Sequence, residues 1–445
     1  MSPRPPVEVP GLERPPPGRP GLSPPPGAGR GSYGDLLRSR PQFARLWLGQ
    51  SVSYLGDTMT TVAVSVGIYS TTRSPYWVAA AFVAKGLGTL VVTPVAGRMA
   101  DSVERRRLLI SLDLARLVLI ALMPVALVTF EPAALFDVFL IQICTTLFQP
   151  SLMSSLPTLV GISRTTRANS LVTFTQRVID VVGYPLAGMV ALLSSVAFLF
   201  WVDSASYLMS ALFLLSMSVA SFARASPVSR GLSGFRRGLR LGLGKPRVRY
   251  NLLLCFGAAL PLGAAMPMLV VFSYGHLRFM GSLGFSLLLA ALGIGASLGA
   301  LVAARLDRNW RFWAVGLGTL ISGLALIGFG ISTVFALALL MLVASGIGNS
   351  LFYVSNQSEI QDQTPEAIRG RVLAGRFAGA QVMMVLGAAA SGLLEDRLGG
   401  AGAYVACGVL LSVWALTVLA VAVVRPGYRA VSDPESEVVQ QHPTI

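Results

Sequence analysis

Charged side chains set inside apolar runs are where this sequence could do chemistry. Asp57, Lys85, Asp113, Arg116, Asp137, Arg177, Asp180 and Asp203 each interrupt a stretch of apolar residues. No Ser–His pair or metal-ligand constellation accompanies them, so acid–base or metal catalysis finds no support. Cys144, Cys255 and Cys407 lie in apolar stretches, and His276 and His442 stand too far apart in the sequence for a metal cluster. No glycine-rich phosphate loop ending in lysine occurs, which argues against drive by ATP within this chain. What remains is reversible binding: a charge held in a dry place can take up a proton or a polar ligand and release it. The sequence predicts neither an enzyme nor a dependence on a cofactor or metal.

Depth selects among these residues. At 1.5 Å per helical residue, Asp57 and Lys85 both fall ~14–17 Å into their apolar segments, near the middle of a ~30 Å hydrocarbon layer. Asp57 shares one helical face with Gln50, Tyr54 and Thr61. The expectation is that Asp57 and Lys85 pair across neighbouring helices, either as a site opened by proton or substrate binding or as a purely structural tie. Arg177 and Asp180, with Thr173 and Tyr184 on the same face, stand a turn apart and either neutralise each other or line the pathway. Asp113 and Arg116 have the same spacing and are expected to be structural. Asp137 and Asp203 are expected as hydrated residues at an outer mouth. In the second half, Ser345, Asn349, Tyr353 and Asn356 lie close to one face, to touch substrate or to hold a neighbouring helix. Arg376 is expected to snorkel to the inner surface.

The elements that must position these residues follow from composition. Of 445 residues, 53% are hydrophobic and 12% charged, with a mean hydropathy of +0.67. Soluble domains carry about a quarter charged residues, which excludes a soluble enzyme. Apolar segments recur at about 46–70, 76–96, 108–130, 134–156, 171–193 and 197–220, and again at about 250–274, 283–304, 312–332, 334–356, 372–394 and 402–424. Each has the length of one helical crossing, and strands would be half as long and alternating. The predicted class is an all-α integral membrane protein, with twelve transmembrane helices in two pseudo-symmetric six-helix bundles. Pro261 and Pro267 predict a bent or broken seventh crossing.

An even number of crossings puts both termini on one side. Segments on that side hold 28 of the 35 basic residues, whereas the opposite loops hold Arg73, Arg278 and Arg397. Basic residues collect on the cytoplasmic side, so both termini are expected in the cytoplasm of a bacterial cell. The same bias accounts for a net charge of +15 without nucleic acid. The expected organisation is a proline-rich cytoplasmic tail and juxtamembrane segment (1–42), an N-terminal bundle (43–220), a basic linker (221–249), a C-terminal bundle (250–424) and a cytoplasmic tail (425–445). The linker either lies on anionic lipid of the inner leaflet or is a plain basic loop.

Two motif echoes join the halves. Gly97, Asp101, Arg105 and Arg106 form a loop whose acid-to-arginine spacing returns at Asp307 and Arg311, 206 positions on. Thr166-Arg167-Ala-Asn169 is echoed by Ile368-Arg369-Gly-Arg371, 202 positions on. Similar offsets argue for a duplicated six-helix unit, one of the ways secondary transporters are built. Gly97, Asp101, Arg105 and Arg106 resemble the signature loop of the major facilitator superfamily. Phe43-Ala-Arg-Leu-Trp-Leu-Gly-Gln50 through Asp57, Arg167-Ala-Asn169-Ser, and Thr364-Pro-Glu-Ala-Ile-Arg369-Gly-Arg371 are similar to its macrolide-efflux and enterobactin-exporter branch. The resemblance spans nearly all of residues 40–425. It implies a central cavity, alternating access and export of a small organic molecule driven by proton influx. It also implies a cytoplasmic latch, at Asp101 and Arg105. The chain departs from drug–proton antiporters in offering Gln142 and Gln149, not a basic residue, in crossing 4, and Gly183-Tyr184-Pro185-Leu-Ala-Gly188 in crossing 5.

The expected partners are thus a small-molecule substrate, protons and the bilayer, with the chain acting as a monomer. An uptake permease or uniporter, and a non-transporting membrane sensor, are the alternatives.

Overall fold

The computed structural model describes residues 32–102, 104–218, 240 and 242–425, and the side chains of all of these except 94–102 and 367. Most of the two expected tails and of the basic linker lies outside the described residues. The described chain is helical throughout. A short helix α1 (Tyr33–Ser39) is started by a capping box between Ser32 and Asp35. The first half then runs through α2 (Pro41–Thr72), α3 (Pro75–Ser102), α4 (Arg105–Thr129), α5 (Glu131–Val160), α6 (Thr165–Leu193) and α7 (Val196–Leu215). The second half comprises α8 (Pro246–Phe272), α9 (Ser282–Ala303), α10 (Arg308–Gly330), α11 (Phe335–Asp362) and α12 (Glu366–Val424).

Among the described residues, ten helices are long and apolar enough to cross a membrane. The last of these, α12, has 59 residues and is broken at Gly399, where φ is 68°, so its two arms cross separately. Helix α2, whose polar stripe lowers its hydropathy, is 32 residues long and completes twelve crossings. Several helices exceed the expected 20–25 residues because polar ends continue past the apolar stretch. Of the two forms expected for this crossing, bent or broken, the break does not occur: helix α8 stays continuous through Pro261 and Pro267 and is prolonged by a π-turn over Ser273–Leu277.

Packing repeats between the halves. In the first, α2 packs on α6 and α7, α3 on α5, and α4 on α5 and α7. In the second, α8 packs on α12, α9 on α11, and α10 on α11 and α12. Each pairing has its counterpart six crossings later. The contacts between halves are paired in the same way, α6 with α9 and α3 with α12. Small residues permit the closest approaches: a Cβ at Gly295 or Gly299 of α9 would run into the carbonyl oxygen of Val343 or Ile347 in α11.

The halves are pinned together at the end where α2 stops and α3 begins. There the Tyr76 hydroxyl donates to Asp396 at 3.1 Å and the Ser282 hydroxyl to the Gly188 carbonyl at 3.2 Å. The rings of Tyr69 and Tyr274 meet edge-on with centres 5.6 Å apart.

Candidate functional site

The polar stripe of α2 fans out to two neighbouring helices. Gln50 donates to Ser210 of α7 at 3.0 Å, and Tyr54 donates to Asp180 of α6 at 2.9 Å. Asp57 accepts from the Tyr207 hydroxyl of α7, and Thr61 donates back to the Asp57 carbonyl at 2.8 Å. Behind this face, Arg116 of α4 is buried in an ion pair with Asp113, whose other oxygen accepts from Ser210 at 2.7 Å. The Arg116 guanidinium also lies over the rings of Phe148 and Tyr207, 4.2 and 4.4 Å from their centres. Asp57 is thereby joined to the buried arginine through one tyrosine.

A cavity of about 360 Å³ opens in front of the stripe. Asp57, Tyr54, Tyr184, Gln142 and Lys85 supply its polar lining, while Phe82, Ile68, Val138 and Ile141 supply apolar wall. Lys85 and Phe82 also border a second cavity, of about 280 Å³, between α3 and the second half, facing Gln381 and Met384 of α12 and Gly263 of α8. Lys85 therefore stands where the two spaces meet.

The expected Asp57–Lys85 ion pair is not formed. Both side chains face one cavity, but Asp57 is engaged by Tyr207, and the Lys85 ammonium makes no hydrogen bond or ion pair with a described residue. Arg177 and Asp180 do pair, at 3.3 Å, and Asp180 lies on the seam with α9 beside Gly293. Asp113 and Arg116 pair as expected. Asp203, expected as a wetted mouth residue, is 0% exposed, and Asp137 is 8% exposed. Both face inward because α5 and α7 bury one side against α3, α2 and α4.

In the second half, Tyr353 is half exposed beneath the Arg376 guanidinium, whose centre lies 4.8 Å above its ring. Neither Tyr353 nor Asn349 lines the two cavities described. Arg376 does not snorkel: it is buried and donates to Asn356 at 2.6 Å, and Asn356 in turn donates to the Asn251 carbonyl at 2.8 Å. Beside them Arg247 of α8 and Glu359 of α11 form a buried ion pair at 2.8 Å. Both residues lie outside the apolar segments read from the sequence. The helical spacing of Asn356 with Glu359 and of Arg247 with Asn251 was the available signal.

At the opposite end of the bundle from the Tyr76–Asp396 contact, arginines hold helix ends. Arg106 donates to the carbonyls of Leu214 and Leu215, at 3.1 and 2.7 Å, and Arg45 donates to that of Ser216 at 2.9 Å, all at the C-terminus of α7. Buried Arg105 donates to the Ser154 carbonyl at 3.3 Å. Gly97 and Asp101 fall within the last turns of α3, and the Asp101 side chain is not among those described. Asp307 is exposed at the N-cap of α10, and Arg311 reaches Asp362 of α11 at 3.1 Å, not Asp307.

Twelve helices in two matched bundles, with a cavity in the first that meets another at their seam, have the build of a membrane transporter. The family match and curated relatives make this a multi-pass transporter of the major facilitator superfamily, not an enzyme. Residues 37–441 match the family model described as transmembrane secretion effector, and the chain belongs to that family. Among curated proteins it is similar to the enterobactin exporter EntS of Citrobacter koseri, 26% identical over 395 residues that cover 84% of this chain and 92% of that one. The enterobactin exporter EntS of Shigella boydii is 27% identical over 392 residues, with the same coverage. Among solved structures, a bacterial homologue of the iron transporter ferroportin in an inward-facing state superposes with a TM-score of 0.67 at 15% identity, covering 85% of this chain and 98% of that one. A bacterial homologue of the human lysosomal transporter Spinster, inward-facing and unoccupied, gives a TM-score of 0.65 at 15% identity, covering 90% and 97%.

Proposed function

We propose that this chain exports a small organic molecule across a bacterial cell membrane by alternating access, in exchange for protons. The observation that carries this reading is that the first-half cavity bordered by Asp57 meets, at Lys85, a second cavity between the halves. A ligand reaching past Lys85 from one space into the other would touch both bundles, and its binding energy would bias one arrangement of the halves over the other. Asp57 and Lys85 offer opposite charges to a polar ligand, Phe82 and the aliphatic wall take its apolar body, and Tyr54 and Tyr184 add hydrogen bonds. Arg177 and Asp180 lie behind this lining, Asp180 accepting from Tyr54, and Gln50 holds the stripe to α7. The arginine-held end, with both termini and the basic linker, is placed in the cytoplasm, the linker resting on anionic lipid. There Arg105, Arg106 and Arg311 tie neighbouring helix ends and stabilise one state of the transporter. The chain is taken to act as a monomer.

The test compares cells with and without the gene for tolerance of a panel of antibiotics and siderophores, together with the small molecules in their medium. Loss of the gene should lower tolerance of at least one compound and raise its content in the cells. Equal tolerance and equal content throughout the panel would defeat an export role, and lower content without the gene would point to uptake.

A further inference from the structure

Asp203 is a buried acid that the substrate cavity does not use. Its side chain is 0% exposed; one oxygen accepts from Ser206 at 2.9 Å, and the other has no hydrogen-bond partner. Gly56 presses α2 so closely onto α7 that a Cβ there would collide with the Asp203 carboxyl and with Ser206, which puts Asp57 on the next residue of the facing helix. The groups that face this acid are Asp57 and Thr60 from α2, Arg116 from α4, and Ser206 and Tyr207 from its own helix. The one guanidinium among them is committed to Asp113 and stacked on Phe148 and Tyr207. Three ionised carboxyls (Asp57, Asp113 and Asp203) against the Arg116 guanidinium and the Lys85 ammonium across the cavity would leave one negative charge uncompensated in a buried cluster, a state proteins avoid by holding a proton.

Thr60 supplies the way in. Its hydroxyl also lacks a partner, it neighbours the Asp203 carboxyl, and it lines the cavity. Resting on the proton-coupled reading above, we propose that Asp203 is the binding site of the exchanged proton, reached from the cavity past Thr60, so that the proton and the organic ligand occupy different sites. Asp57 then serves the ligand and senses the proton through the shared field of Arg116 and Tyr207.

Infrared spectroscopy of the purified full chain in lipid at neutral pH tests the site without any substrate. The carbonyl band of a protonated carboxyl should be present in the wild type, lost in Asp203→Asn and retained in Asp57→Asn. A band unchanged in Asp203→Asn would overturn the assignment. The same variant, nearly isosteric with a protonated acid, should reach the membrane at wild-type level yet give cells no more tolerance than deletion of the gene. Full protection by Asp203→Asn would overturn its coupling role. If deletion itself has no phenotype, the transport reading fails while the infrared result still decides where the proton sits.

Discussion

Replacing Arg116 with alanine is expected to destabilise the protein by about 3–5 kcal/mol, the usual consequence of breaking a buried ion pair from one side. The substitution strips Asp113 of its partner while leaving the carboxylate 0% exposed. It also removes the cation that stacks on Phe148 and Tyr207 and a positive charge that acts on Asp57. Thermal unfolding in detergent measures the effect. The double variant Arg116→Leu/Asp113→Leu should recover most of the loss, because it leaves no orphaned charge behind. Wild-type stability in Arg116→Ala would mean that the cluster is wetter than its burial implies.

Lys85→Ala should act in the opposite way, sparing the fold and removing transport. Its ammonium makes no hydrogen bond or ion pair with a described residue, so folding gives up little when it is deleted. A ligand would lose a hydrogen bond to a charged group, about 1.5–3 kcal/mol, or roughly tenfold to a hundredfold in affinity. Efflux of the compound identified by the tolerance comparison should fall by that factor, at an unchanged unfolding temperature. Undiminished efflux would remove Lys85 from the pathway, and a lowered unfolding temperature would return it to a structural role.

How much of this was legible from residues alone follows from the physics of each signal. The twelve crossings and the paired halves were, because lipid demands long apolar segments and a duplicated unit leaves echoes such as Asp101/Arg105 and Asp307/Arg311. The stripe of Gln50, Tyr54, Asp57 and Thr61 was visible from helical spacing. Its partners were not, since Tyr207 and Ser210 are ordinary polar residues until α7 lies against α2. Depth along a helix misled for Asp203, because distance from the membrane surface says nothing about which way a side chain points. Arg247 and Glu359 escaped because apolar runs mark the hydrocarbon layer, whereas the helices carrying them continue beyond it. The Asp57–Lys85 pairing failed for a related reason: equal depth brings two charges to one cavity without bringing them into contact.

Alternating access requires the seam between α3 and α12 to open. A Cβ at Gly392 would stand 3.2 Å from the Cα of Tyr76, close enough for cysteines at the two positions to form a disulfide. The decisive measurement is efflux by Tyr76→Cys/Gly392→Cys, with Cys144, Cys255 and Cys407 replaced by serine, before oxidation, after it and after reduction. Efflux should stop when the disulfide forms and return when it is reduced; undiminished efflux from the fully cross-linked protein would contradict movement of the halves at this end.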